Sequence, residues 1–145
     1  MPTPYAEVFP FEKRYHYPHM KPADISIWER FIQEFPDMYE RVQYSVPCGE
    51  SAPFDTVIDV ESGTHDEYLY KRKIDVVAFK GDEVDIIELK PRADAAAIGQ
   101  VRMYQTLFLK DYKPVRVPKC IVITDELRPD IAEYAASQSV QMVVV

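Results

Sequence analysis

The apolar residues of this chain change their spacing several times, and each change predicts a new element. From Ala23 to Glu34 they recur every three or four residues, the period of a helix that buries one face. Pro22 suits the first turn of this helix, and Pro36 ends it. The side chains expected to face the core are Ile25, Trp28, Ile32 and Phe35.

The next segments have the period of strands. Apolar residues at positions 42, 44 and 46 alternate with polar ones, which predicts a half-buried strand. Residues 73–79 and 84–89 predict two more strands, and Gly81 in the short connection between them favours a hairpin. The long acidic stretch 47–70 reads as a loop, with a candidate short strand from Val57 to Val60.

The C-terminal half alternates helix and strand. Asp94 is a suitable N-cap for a helix that runs to about Lys110. Strands are predicted at 120–124 and 140–145, with a helix at 129–137 between them. The helix after Asp94 is expected to bury Ala97, Val101, Tyr104 and Phe108. The order α-β-β-β-α-β-α-β predicts an α/β fold, with a mixed central sheet flanked by helices.

Residues 1–22 show neither period. They are rich in proline and aromatic residues, which predicts an extended N-terminal arm that packs on the domain or on a partner chain. Residues 23–145 are then one domain, a size that suits a single hydrophobic core.

The charged residues are distributed unevenly along the chain. The net charge of −7 argues against a simple DNA-coating protein, which would be basic. Residues 24–70 hold eleven acids and two bases, whereas residues 71–119 hold eleven bases and seven acids. The basic half is compatible with contact to a polyanion.

Three charged residues in the predicted hairpin carry the candidate chemistry. Glu88 and Lys90 are two apart, so they project to the same side at the end of their strand. An antiparallel hairpin places Asp75 beside them. Ionised carboxylates among apolar strand residues are costly unless they are paired or bind metal, and their oxygens suit Mg²⁺ or Mn²⁺.

These residues resemble the PD-(D/E)xK nuclease superfamily. Its restriction-endonuclease-like core is an αβββαβ unit, with a metal-binding Asp on the second strand and Glu-x-Lys on the third; Asp75 and Glu88-Leu89-Lys90 match those positions. The resemblance implies that Asp75, Glu88 and the Leu89 carbonyl bind the metal and that Lys90 assists the attacking water. Many members add a Glu from the first helix, for which Glu29 and Glu40 are both candidates.

A second motif follows in the next helix. Gln100 and Tyr104 are similar to the Gln-x-x-x-Tyr of RecB-like and phage exonucleases, which lies near the site and the DNA. That branch has Asp-Tyr-Lys where this chain has Glu-Leu-Lys, and the departure favours an endonuclease over an exonuclease. The resemblance implies a catalytic role for Gln100. Further substrate contacts are expected from Arg72, Lys73, Arg102 and Tyr104.

The predicted function is therefore a Mg²⁺- or Mn²⁺-dependent deoxyribonuclease. Two alternatives stay open: a non-catalytic nucleic-acid-binding or phage assembly protein on the same fold, and a Holliday-junction-type resolvase acting as a dimer. The expected partner is DNA, with no membrane, and a homo-oligomer is left open. No signal peptide is evident, which indicates the cytoplasm, or the host cytoplasm for a phage protein. Cys48 and Cys120 are expected to be reduced thiols.

Overall fold

The computed structural model describes residues 2–49 and 72–145. Three helices lie in these residues: α1 (Pro22–Glu34), α2 (Ala95–Tyr112) and α3 (Pro129–Ser137). Six strands accompany them: β1 (Val8–Pro10), β2 (Arg41–Cys48), β3 (Arg72–Lys80), β4 (Glu83–Leu89), β5 (Lys119–Thr124) and β6 (Val140–Val144). The strand suggested for Val57 to Val60 lies outside the described residues.

The strands form one mixed sheet in the order β1-β2-β3-β4-β5-β6. Neighbours from β1 to β4 are antiparallel, whereas β4–β5 and β5–β6 are parallel. A parallel connection needs a crossover, and α2 and α3 provide the two crossovers. The β3–β4 hairpin turns at Gly81, whose φ of 58° suits glycine, and this confirms the predicted hairpin.

The two faces of the sheet are covered by different helices. Trp28 and Phe31 of α1 belong to one hydrophobic cluster, with Val76 and Ile87 of the sheet. α2 and α3 cover the other face, where the predicted stripe of α2 is buried as expected. Asp94 caps α2 by accepting a hydrogen bond from the Ala97 amide at 2.8 Å.

The N-terminal segment packs on the domain and contributes a strand that its sequence pattern did not predict. Val8–Pro10 pairs antiparallel with β2. The aromatic rings of Phe9, Phe11 and Tyr17 are buried in the cluster on the α1 side. This segment therefore completes the first face of the core.

The same segment explains why α1 buries a different stripe from the one expected. The fully buried residues of α1 are Ile27, Trp28, Phe31 and Ile32, whereas the predicted Ile25 and Phe35 are only partly buried. Phe11 meets Trp28 and Phe31 edge-on, with ring centroids 5.6 and 6.0 Å apart. Because α1 packs against this segment as well as against the sheet, the buried side of the helix includes Ile27 and Phe31, which the predicted stripe did not contain.

The prediction that β2 is half-buried is wrong at Gln43. Gln43 is fully buried beneath the N-terminal segment, and its side-chain amide forms hydrogen bonds with the backbone of that segment. The Gln43 amide accepts from the Thr3 N–H at 2.9 Å and donates to the carbonyls of Thr3 and Ala6 at 2.8 and 2.7 Å. A buried polar side chain is tolerated here because its hydrogen bonds are made.

None of the helices in the described ranges combines the length and the apolar character needed to cross a bilayer.

The end of the sheet near the hairpin turn holds a half-buried carboxylate. Asp85 accepts a hydrogen bond from the Tyr39 hydroxyl at 2.6 Å, and burial raises its pKa above the ordinary value of 3.8. A raised pKa in the folded state means that the native protein holds this proton more tightly than the unfolded chain. The stabilisation is therefore present at low pH and is lost as pH rises through the folded pKa.

We expect Asp85→Asn to remove this pH-dependent loss of stability, because the amide oxygen can still accept the hydrogen bond from Tyr39 and the amide does not ionise. The difference in Tm between variant and wild type should grow in favour of the variant as pH rises from about 4 to 8. Thermal unfolding followed by circular dichroism measures it, with Asp82→Asn in the exposed turn as the matched loss of a carboxylate. A difference that does not change with pH would contradict the expectation.

Candidate active site

The site forms where β3 and β4 part. Their register ends at Val76 opposite Ile87, so Asp75 and Glu88 are the first residues beyond the ladder. The Asp75 carboxylate accepts the Leu89 amide N–H at 2.9 Å, in place of a strand carbonyl. On the other side, the Lys90 amide donates to the Ile123 carbonyl at 3.0 Å, which keeps the end of β4 attached to β5.

A backbone distortion lies across from Asp75 on β2. Ser45 adopts a left-handed conformation, with φ of 52°. Side chains change face at this level of both strands: Tyr44 and Val76 pack on the α1 side, Val46 and Ile74 on the α2 side. The reversal interrupts the regular alternation at the level of Asp75, where β3 has separated from β4 but continues to pair with β2.

Glu88 is the buried member of the carboxylate pair, with 6% of its surface exposed. Burial first, and then a hydrogen bond with the Asp75 carboxyl and the charges of Asp75 and Asp24, raise its pKa well above the ordinary value. The ammonium of Lys90 acts in the opposite direction. The raised pKa of Glu88 has a simple physical cause, because a buried carboxylate next to a second carboxylate is unfavourable in its charged form.

A third carboxylate, from the first turn of α1, faces the pair. Asp24 lines the same cleft as Asp75 and Glu88, a hollow of about 410 Å³. Its pKa is raised by burial and by the charge of Asp75, and lowered by Lys21 and Lys90. Lys21 immediately precedes α1 and also lines the cleft. The start of α1 therefore supplies both an acid and a base to the site.

Lys90 and α2 close the cleft from the other side. The Lys90 ammonium is half-exposed in the cleft and lies 3.9 Å from the carboxylate of Asp94, the N-cap of α2. Gln100 lines the cleft one to two turns into α2 and donates to the hydroxyl of Tyr104 at 2.5 Å. Tyr104 is buried, and the charges of Glu88 and Asp75 contribute to its raised pKa, after burial itself. The Gln100–Tyr104 pair is thus brought to the carboxylates, as the motif implied.

Leu89 lines the cleft while its side chain is buried in the cluster on the α1 side. The part of Leu89 available to the cleft is therefore its main chain.

Other candidate residues lie elsewhere. Glu29 accepts a hydrogen bond from Tyr17 at 2.9 Å, and Glu40 accepts from the Gly81 amide at 2.6 Å near the hairpin turn, so the structure brings neither to the cleft. Arg102 donates to Gln105 at 2.5 Å and interacts with the thiol of Cys120, at the start of β5 and far from its carboxyl end.

The two bases at the start of β3 are nearer. Lys73 borders a smaller hollow that also includes Asp75. Arg72 is exposed and pairs with Cys48 at the beginning of the strand, outside both hollows.

Sequence reasoning missed three residues that line the cleft: His19, Lys21 and Asp24. The sequence did contain a signal for Asp24. Pro22 indicates where the helix begins, and Asp24 lies in its first turn. Whether an acid in the first turn or one in the middle of α1 reaches the site depends on which end of the helix lies near the cleft. The spacing of apolar residues does not determine this orientation.

The donor set suits a hard divalent cation only in part. Across residues 2–49 and 72–145, no three His, Cys, Asp or Glu side chains are arranged to hold a metal by themselves. Asp75, Glu88 and the Leu89 carbonyl offer oxygen ligands from one edge of the sheet, and Mg²⁺ usually takes one or two carboxylates and fills its other positions with water and substrate phosphate. The pair formed by the buried Glu88 and the half-buried Asp75 fits this mode, because a cation there would compensate their charge.

Comparison with known proteins agrees with this geometry at the level of the fold. No family model and no curated protein matches the chain. A repair endonuclease from Pyrococcus abyssi superposes with a TM-score of 0.51 and 16% identity, over 90% of this chain and 49% of that one. The chain has a restriction-endonuclease-like fold.

A second solved structure, an EndoMS–dsDNA2 complex, superposes with a TM-score of 0.50 and 15% identity, over 92% of this chain and 48% of that one. The chain therefore spans about half the length of both structures. Both structures support the predicted restriction-endonuclease-like fold.

The left-handed backbone at Ser45 leads to a prediction. We expect Ser45→Val to lower the free energy of unfolding by about 1–2 kcal/mol, because a β-branched side chain fits poorly at positive φ. Ser45→Gly should cost less, since glycine adopts this conformation freely. Urea unfolding of both, with Ser45→Ala to isolate the lost hydroxyl, measures the effect. Equal losses for Val and Gly would show that φ is not the cause.

Proposed function

We propose that this chain is a Mg²⁺- or Mn²⁺-dependent nuclease that cuts phosphodiester bonds in DNA. The observation that carries the proposal is the convergence of Asp75, Glu88 and Lys90 in one open cleft on a restriction-endonuclease-like fold. An endonuclease is favoured because the similar solved structures include a repair endonuclease and an EndoMS–dsDNA2 complex.

Each residue has a distinct role in this proposal. Asp75 and Glu88, with the Leu89 carbonyl, hold the cation, which when bound neutralises phosphate charge and lowers the pKa of water. Lys90 is half-exposed and directed by Asp94, so its ammonium can donate to a phosphate oxygen or orient the attacking water. Gln100 positions Lys90 or the substrate from the opposite wall of the cleft.

Asp24 is added to this set as a third acid. Asp24 lines the same cleft as Asp75 and Glu88, and its charge contributes to the raised pKa of Glu88. In this position it can hold a water bound to the cation, and it replaces Glu29 and Glu40 as the acid that the first helix contributes to the site.

Calorimetric titration with Mn²⁺ tests the cation site. We expect heat of binding in the wild type and its loss in Asp75→Asn, because the amide keeps the hydrogen bond from Leu89 but carries no charge. Asp85→Asn, which removes a half-buried carboxylate at the other end of the sheet, should bind Mn²⁺ like the wild type. Equal binding by the Asp75 variant would refute the assigned ligand.

The same titration separates the candidate helix acids. Asp24→Asn should weaken Mn²⁺ binding by about tenfold, as expected for a residue that supports the ligands. Glu29→Gln, which is one turn further along α1 and bonded to Tyr17, should leave it unchanged. The reverse order would return the role to Glu29.

Cutting of DNA tests the catalytic assignment. We expect Lys90→Ala to reduce cleavage of supercoiled plasmid with Mn²⁺ by about 100-fold or more, because it removes a donor from the developing charge. Lys119→Ala, which removes an exposed lysine at the start of β5, is the control. Full activity of the Lys90 variant would reject this mechanism. Mn²⁺ binding without any cutting by the wild type would favour a non-catalytic binding protein.

A further inference from the structure

A second hollow lies beside the active-site cleft, on the other side of Asp75. This hollow has a volume of about 230 Å³ and is lined by Pro18, His19, Met20, Ser45, Lys73 and Asp75. Asp75 and His19 border both hollows, so the two are adjacent at these residues. A substrate held at the carboxylates can therefore extend into it.

The charges lining the two hollows differ. Three carboxylates face the cleft, those of Asp24, Asp75 and Glu88, together with Lys21 and Lys90. Among the described residues, the second hollow is lined by the Lys73 ammonium and the His19 imidazole, and Asp75 on the shared border is the acid that lines it. The described lining therefore changes from mostly acidic residues in the cleft to a lysine and a histidine beside Asp75 in the second hollow, a composition that suits an anion better.

The spacing suits a nucleic acid strand. Lys73 and Asp75 are two residues apart on β3, which is about 6.6 Å along an extended strand. Successive phosphates of one DNA strand are separated by at least about 3.4 Å along the helix axis. An anion at Lys73 is thus one or two nucleotides from a phosphate held at Asp75.

Backbone strain is concentrated at the same place. Among the described residues, four that are not glycine have positive φ: His19, Ser45, Lys113 and Ser139. Two of these, His19 with φ of 55° and Ser45 with φ of 52°, line the second hollow. Strained backbone tends to cluster at functional sites, where the surrounding fold maintains it.

We propose that this hollow is a second phosphate subsite, in which Lys73 and His19 bind a phosphate of the same strand next to the scissile one. The preferred substrate is then a polynucleotide and not an isolated phosphodiester. This inference rests on the proposed function, because the subsite is defined relative to the bond that is cut. It also gives the segment before α1 a substrate-binding role, in addition to its packing role.

Two substrates test the subsite in the full-length chain with Mn²⁺. One is a fluorescently labelled DNA duplex, and the other is the p-nitrophenyl ester of thymidine 5′-monophosphate, which has a single phosphodiester and therefore no second phosphate for Lys73 to bind. We expect Lys73→Gln to lower kcat/KM on the duplex by about tenfold, the value of one charged hydrogen bond, with no change on the ester. Lys73→Arg should restore most of the loss on the duplex.

Binding to the duplex gives a readout that a structural role would not change. With Ca²⁺ in place of Mn²⁺, fluorescence anisotropy should show that Lys73→Gln reduces the slope of log affinity against log salt by about one. Lys119→Gln, which removes an exposed lysine from the other end of the sheet, is the matched control and should keep the wild-type kcat/KM on both substrates. Tm values of all variants establish that they are folded.

The outcomes distinguish the subsite from the nuclease proposal. Equal losses on both substrates, or no loss on the duplex, would overturn the subsite while leaving a nuclease. If the wild type cuts neither substrate, the nuclease proposal fails, and the anisotropy slope alone decides whether Lys73 binds a DNA phosphate. An unchanged slope in Lys73→Gln would then reject the subsite as well.

Discussion

Two carboxyls that would repel each other in an ionised state are packed together at the end of this sheet. Asp75 and Glu88 come into contact because β3 and β4 stop pairing one residue earlier, and the free Leu89 amide is taken by Asp75 itself. The resulting opening gives both carboxyls access to the cleft. Burial, and then the neighbouring Asp75 carboxyl, raise the pKa of Glu88 above its ordinary value.

The other elements are arranged around this opening. α1 begins there and contributes Asp24 from its first turn, where the positive end of the helix favours an acid. α2 also begins there, with Asp94 capping the helix while it lies near the ammonium of Lys90. The parallel pairing of β4 with β5 keeps the carboxyl end of β4 fixed while its antiparallel partner departs. Ligand sites at the carboxyl ends of strands are common in open α/β sheets for this topological reason.

The N-terminal segment connects stability to the site. Phe9 and Phe11 complete the core over α1, and the chain then passes His19 and Lys21 along the cleft before the helix starts. Buried aromatic residues thus hold in place a loop whose polar residues face the groove. The opposite end of the sheet, with the hairpin turn and the Tyr39–Asp85 hydrogen bond, shares none of these residues.

Local patterns determined most of the architecture. The alternation at β3 and β4, Gly81 in the turn, and Asp94 at the start of α2 each specify their structure through neighbouring residues, and the spacing of Asp75, Glu88 and Lys90 placed them at one end of a hairpin. Only the tertiary structure decided which end of α1 reaches the carboxylates, and hence that Asp24 and not Glu29 faces them. It also decided the burial of Gln43 and the pairing of Val8–Pro10 with β2. These contacts join residues far apart in the chain, so no local period encodes them, and they form only because packing the sheet between its helices brings those segments together.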